Sequence, residues 1–181
     1  MSGIGSHTKP NRGFTDDWLT PPEIIKACGE FDLDPCTPIE MPWVTAKNRF
    51  TVKDNGLSKD WTGRVWLNPP YGAQVGLWMQ RLAIHGNGIA LVFARTETAW
   101  FQDFVFPYAD ALLFIAPRLH FYTEKGERAK GNAGGPSVLV AYGSGNDFQL
   151  ERSGIGGKFV SLNRCSAASN RVTDGAEDPV R

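Results

Sequence analysis

Two consecutive prolines, Pro69 and Pro70, follow a short apolar run, Arg64-Val65-Trp66-Leu67, and they limit what this chain can do at that point. The run reads as the edge of a buried strand. Neither proline has an N–H to give to a ladder, so the strand must stop there in a stiff, extended turn. Asn68, Pro69, Pro70 and Tyr71 are then held in fixed relation at a strand's carboxyl end. Open α/β sheets place their ligands at that end.

The remaining sequence supplies other strands and helices for such a sheet. Thr20-Pro21-Pro22-Glu23 has the form of a helix start, with Thr20 as cap, Pro21 in the first turn and Glu23 completing a capping box. A helix is expected from there to about Cys28. Phe31 to Asp34 reads as a short strand ended by Pro35, and residues 37–62 as an irregular stretch, long enough to suggest function. Val75, Trp78, Met79 and Leu82 share a helical face, as do Trp100, Phe101, Phe104 and Val105. Ile89 to Ala94, Ala111 to Ala116 and Val138 to Tyr142 read as strands. Strands alternating with helices predict an α/β fold with a mostly parallel sheet. Residues 1–15 are polar and Gly-rich and predict a mobile tail, residues 16–162 one domain, and residues 163–181 a disordered tail.

Composition narrows the partners. With 19 basic and 19 acidic residues the chain is no bulk polycation, so a nucleic-acid contact must come from a local basic patch. No apolar run approaches the ~20 residues of a membrane span. The three cysteines, Cys28, Cys36 and Cys165, form no zinc pattern and predict no metal. Their odd number, with no signal peptide in sight, predicts a reducing cytoplasm and spectator thiols. His85 and His120 have no Ser or Cys partner at a recognisable spacing, so no nucleophilic triad is expected.

The corner at residues 68–71 has a definite chemistry. The Asn68 side-chain oxygen and the Pro69 carbonyl can accept both hydrogens of one exocyclic amino group. Tyr71 offers a flat face for a planar base or amide. An amine conjugated to a ring is a poor nucleophile. Accepting both its hydrogens favours a pyramidal nitrogen with its lone pair directed at an electrophile. The plainer alternative is that the prolines end a strand and Tyr71 packs in the core; Trp61, Trp66 and Trp78 are read as core.

An Asn-Pro-Pro-Tyr corner at a strand end resembles the catalytic motif of amino-group methyltransferases that use S-adenosylmethionine. An ordered set of further segments resembles one branch, the small Dam-type DNA N6-adenine methyltransferases of phages and prophages. These include Asp17-Trp18-Leu19-Thr20-Pro21-Pro22, Phe31-Asp32-Leu33-Asp34-Pro35-Cys36, Asp54-Asn55-Gly56-Leu57 with Trp61, Arg95-Thr96-Glu97-Thr98-Ala99-Trp100-Phe101, Pro117-Arg118-Leu119-His120-Phe121 and Pro136-Ser137-Val138-Leu139-Val140. Together with the motif they span about residues 16–142. The resemblance implies a compact class I methyltransferase, Rossmann-like, acting on adenine in DNA, with GATC-like sites and protection of phage DNA from restriction as family-level expectations. Many relatives carry Asp where this chain has Asn68.

By the same resemblance, Asp34 faces the ammonium of the cofactor's methionine, and Thr20-Pro21 meets its carboxylate. Asp34 as a turn cap and Thr20 as a plain helix cap remain alternatives. Asp34-Pro35-Cys36 stands where many relatives have an acidic residue, Pro and a Gly-rich loop, and the glycines are missing here. Trp18 either covers the pocket or belongs to the core. Asp54 is a candidate for the cofactor's ribose or adenine, or an ordinary turn residue. Between two core strands, Arg118, Lys125, Arg128 and Lys130 lie in a Gly-rich stretch with His120 and Tyr122, which reads as a flexible, phosphate-tracking loop. Arg95 is a further phosphate candidate, or a partner for Glu97. Two rival functions stand beside this one: methylation of another amine or amide (an RNA base or a protein glutamine), and a non-catalytic DNA-binding module.

Overall fold

The computed structural model describes residues 18–162, so both expected tails, and Cys165, lie outside the described residues. In chain order the elements are α1 (Pro22–Ala27), β1 (Leu33–Thr37), β2 (Asn48–Thr51), a 3-10 turn (Gly56–Ser58), β3 (Val65–Leu67), α2 (Val75–His85), β4 (Gly88–Phe93), α3 (Ala99–Phe104), β5 (Ala111–Ile115), β6 (Ser137–Tyr142), α4 (Asn146–Glu151) and β7 (Gly157–Ser161). The seven strands form one sheet in the order β2-β1-β3-β4-β6-β5-β7.

Alternation along β4 shows how the layers arise. Ala90 and Val92 point into a core with Val75, Met79 and Leu82 of α2 and Phe101 of α3. Ile89 and Leu91 point the other way, toward Ile24 and Ile25 of α1 and Leu150 of α4. Helices thus cover both faces, an arrangement compatible with a Rossmann-like fold. Apart from Ala90, each such side chain contributes about 1.5–3 kcal/mol by burial. α2 ends at Gly86, whose φ of 71° is the left-handed conformation that glycine takes without strain and whose N–H donates to the Leu82 carbonyl.

Three expectations need correction. The sheet is mixed rather than mostly parallel: β1–β2, β1–β3 and β3–β4 are parallel pairs, whereas β4–β6, β5–β6 and β5–β7 are antiparallel. β6 is buried on both faces, and that pattern does not encode strand direction. The chain leaves β5, makes a long excursion over residues 116–136, and returns into the slot between β4 and β5.

Secondly, Pro35 does not end β1 but lies within it. The pairing with β2 shifts register between Asp34 and Thr37, an irregularity that accommodates a residue with no N–H to donate. Thirdly, Thr20 does not cap α1. The capping position is Pro21, with no side-chain cap, and the Thr20 hydroxyl is left over.

Candidate active site

The strand ends named by the sequence meet around one cavity of about 420 Å³. Asn68, Pro69, Pro70 and Tyr71, directly after β3, line one side. Trp18, Thr20, Asp34, Pro35 and Cys36 line the cavity as well. β1 and β3 are adjacent parallel strands, so their carboxyl ends open into the same space.

Asn68 is held by its amide nitrogen, which donates to the Trp18 carbonyl at 2.9 Å. Turning the amide over would set two oxygens against each other, so that bond fixes its orientation. The Asn68 Oδ1 that remains is buried and has no partner. An unmet buried acceptor costs about 1–3 kcal/mol. It is not a solitary case. Of the seven buried side-chain polar atoms without a partner among the described residues, five belong to cavity-lining residues: Thr20 Oγ1, Trp43 Nε1, Asn68 Oδ1, Tyr71 Oη and Trp78 Nε1. Native interiors leave few such groups, and here most of them belong to residues around one cavity.

Asp34 is buried at 4 % exposure in the cavity lining. Its Oδ2 accepts the Thr45 hydroxyl at 2.6 Å and its Oδ1 accepts the Cys36 N–H at 3.2 Å. Burial outweighs those hydrogen bonds and pushes the carboxyl up to about 6. A cation in the cavity would offset that cost and favour the ionised form. Cys36 donates its thiol to the Asn68 backbone carbonyl at 3.3 Å, tying the end of β1 to the motif. Gly56, which also lines the cavity, passes so close to the Pro35 carbonyl that a Cβ there would collide with it.

Tyr71 is clamped rather than free. Its ring stacks on Phe93 at 4.5 Å and meets Phe121 edge-on at 6.2 Å. One of its faces is therefore taken, and a ligand in the cavity has only the other. Burial raises its hydroxyl above the usual phenol range, so Tyr71 stays neutral.

Other expected residues fall elsewhere. Asp54 does not line the cavity. Its exposed carboxylate accepts the Thr51 N–H and hydroxyl at 2.8 and 2.9 Å, bonds that lower its pKa, and it belongs to the turn after β2. Pro21 lines a second hollow together with Arg118 and Arg128. Arg95, Lys125 and Lys130 are exposed and line neither hollow, and Arg95 makes no ion pair with Glu97.

The stretch expected as a loop contains a short hairpin. Ala129 N–H donates to the Phe121 carbonyl and Ala133 N–H to the Leu119 carbonyl, over buried Leu119 and Phe121. Trp61, Trp66 and Trp78 are buried as expected, and Trp66 and Trp78 line the cavity as well. Burial pushes the Cys28 thiol up to about 12, which keeps it inert. Sequence reasoning missed Trp43, Thr45 and Glu124. All three are cavity residues drawn from loops that carry no motif.

Compared with known protein families, residues 5–164 match the Dam family, DNA N-6-adenine-methyltransferase. The chain belongs to the Dam family. Searches of curated proteins and of solved structures gave no match. Membership in the Dam family supports a DNA adenine methyltransferase activity. Among the described residues no cluster of His, Cys, Asp or Glu could hold a metal, and no helix is long and apolar enough to cross a membrane.

Proposed function

We propose that this chain transfers the methyl group of S-adenosylmethionine to N6 of adenine in DNA, with the cavity holding both the cofactor and the extruded base. The observation that carries the reading is Asn68: its amide nitrogen is tied to Trp18, and its oxygen is buried with no partner, in a residue that lines the same cavity as the buried Asp34.

The residues fit the cofactor. Asp34 suits the methionine ammonium, since burial leaves that carboxylate in need of a cation. The unpartnered Thr20 hydroxyl suits the methionine carboxylate, and the indole N–H groups of Trp43 and Trp78 suit acceptors on a nucleoside. The volume of about 420 Å³ lies within the ~300–1,000 Å³ of small-molecule sites. When bound, S-adenosylmethionine supplies an electrophilic methyl on a sulfonium.

The protein's part is positioning. Asn68 Oδ1 and the Pro69 carbonyl accept the two N6 hydrogens, drawing the lone pair out of the ring. Tyr71, braced by Phe93 and Phe121, bears on the base with its remaining face. Once N6 has gained its methyl it gives a proton to water, so the step needs no side-chain base. Extruding the base costs a few kcal/mol, which these contacts offset. Preference for GATC-like sites, and protection of phage DNA from restriction, belong to the same proposal.

The test is a tritium transfer assay with four acceptors: DNA with GATC, DNA without it, RNA and protein, followed by digestion. N6-methyladenine from DNA is the expected product. Asn68→Ala should lower the rate on the order of 10²–10³-fold, as loss of one preorganised polar contact does elsewhere. Label in RNA or protein but not in DNA, or a normal rate in Asn68→Ala, would refute the reading.

A further inference from the structure

The second hollow, of about 550 Å³, is lined in part by the hairpin that braces Tyr71. Arg118, His120 and Arg128 line it, facing the start of α1 and the glycine-rich turn at Gly154–Gly156. Both arginines are exposed, and neither pairs with a carboxylate among the described residues, where the ion pair is Lys47–Asp32. Arg118 makes one long hydrogen bond, 3.4 Å, to the Ala133 carbonyl. Glu23 is the acidic residue on this wall, so the hollow keeps a net positive charge.

Its position relative to the cavity is fixed by two features. Thr20 lines the cavity and the next residue, Pro21, lines the hollow, so the two adjoin across one peptide unit. Along residues 118–121, Phe121 packs on Tyr71, while Arg118, Leu119 and His120 line the hollow. Glu124, near the tip of the same hairpin, lines the cavity. One short hairpin therefore separates the place of the base from two unpaired arginines.

We propose that this hollow seats backbone phosphates of the DNA strand whose base enters the cavity, with Arg118 and Arg128 as the contacting cations. The proposal rests on the functional reading above. Arginine's planar fork matches phosphate oxygens, and such contacts set the register of a strand without reading its sequence. The small walls, Ala116, Gly154 and Gly156, leave room for a phosphodiester to approach.

The test is the salt dependence of binding to a fluorescent duplex between about 50 and 200 mM salt, with full-length protein. Each lost phosphate contact removes ~0.9 from the slope of log K against log salt. Arg118→Ala with Arg128→Ala should therefore flatten the slope by roughly 1.8 and weaken every duplex alike. Arg118→Lys with Arg128→Lys should keep the slope. Affinity for S-adenosylmethionine, measured by calorimetry, should be unchanged in both.

An unaltered slope in the double Ala variant, with duplex binding intact in the wild type, overturns the phosphate seat and leaves the methyltransferase reading standing. A lost slope in the double Lys variant also overturns it, since charge is retained there. A wild type that transfers methyl to RNA or protein and ignores duplex DNA overturns both.

Discussion

Replacing Asp34 with asparagine should make the protein more stable and useless at the same time. The carboxyl rises from 3.8 to about 6 on folding, chiefly because burial disfavours its charge. At about 1.4 kcal/mol per pH unit the rise amounts to ~3 kcal/mol. Since the folded value lies above the unfolded one, the native chain binds this proton more tightly than the unfolded chain. The associated stabilisation is complete below pH 3.8 and is lost as pH climbs through about 6.

The substituted amide would carry no charge at any pH and would escape that loss. Its oxygen can still accept the Cys36 N–H, and its NH2 can donate to the Thr45 hydroxyl, so the local hydrogen bonds survive. At about pH 8 the Asp34→Asn variant should gain up to ~3 kcal/mol over the ligand-free wild type, or roughly 6–12 °C in melting temperature at ~2–4 °C per kcal/mol. At about pH 4 the two should converge. Calorimetry at the higher pH should show S-adenosylmethionine binding to the wild type and not to the variant. Wild-type affinity should fall as pH drops through about 6, where the carboxylate protonates. Equal or lower stability of the variant at the higher pH, measured by thermal melting without ligand, would refute the argument that this carboxylate is kept at a cost to the fold.

Three further outcomes are expected. Tyr71→Phe removes a buried hydroxyl with no partner and should retain methyl transfer while gaining about 1–2 kcal/mol in a urea melt, whereas Tyr71→Ala should lose transfer. Arg64 donates to the Cys28 carbonyl, the Glu30 carbonyl and Asn146 Oδ1 at 2.8, 2.8 and 2.6 Å and lies 4.2 Å over the Phe31 ring; Arg64→Lys cannot reproduce that fork and should cost about 3 kcal/mol by denaturant titration. Gly56→Ala drives a methyl into the Pro35 carbonyl and should cost at least ~1–3 kcal/mol, with weaker cofactor binding seen by calorimetry.

The central strands and α2 were legible in sequence because their signal is local: β4 is a continuous apolar run and α2 carries buried residues at helical spacing. β2 and β7 were not, since they are the two edges of the sheet and are half exposed, without an apolar run to announce them. Strand direction escaped for a different reason. β6 is as apolar as a parallel strand, and only its neighbours determine that it runs backwards.

The site divides the same way. Asn68 and Asp34 could be named because prolines pin them to strand ends, and both reached the cavity. Asp54 was named from a motif position as a cofactor contact or a turn residue, and its carboxylate bonds within its own turn. Trp43 and Thr45 come from an irregular loop, and their importance rests on what lies across the cavity from them, which no one-dimensional spacing conveys.

Leu19 and Tyr122 exchange two backbone hydrogen bonds, at 2.9 and 3.0 Å, which fastens the first described residues to the hairpin beside the cavity. Leu19 and Glu124, two residues beyond Tyr122, both line the cavity, so a strain on either side of that pair is carried to the cavity wall.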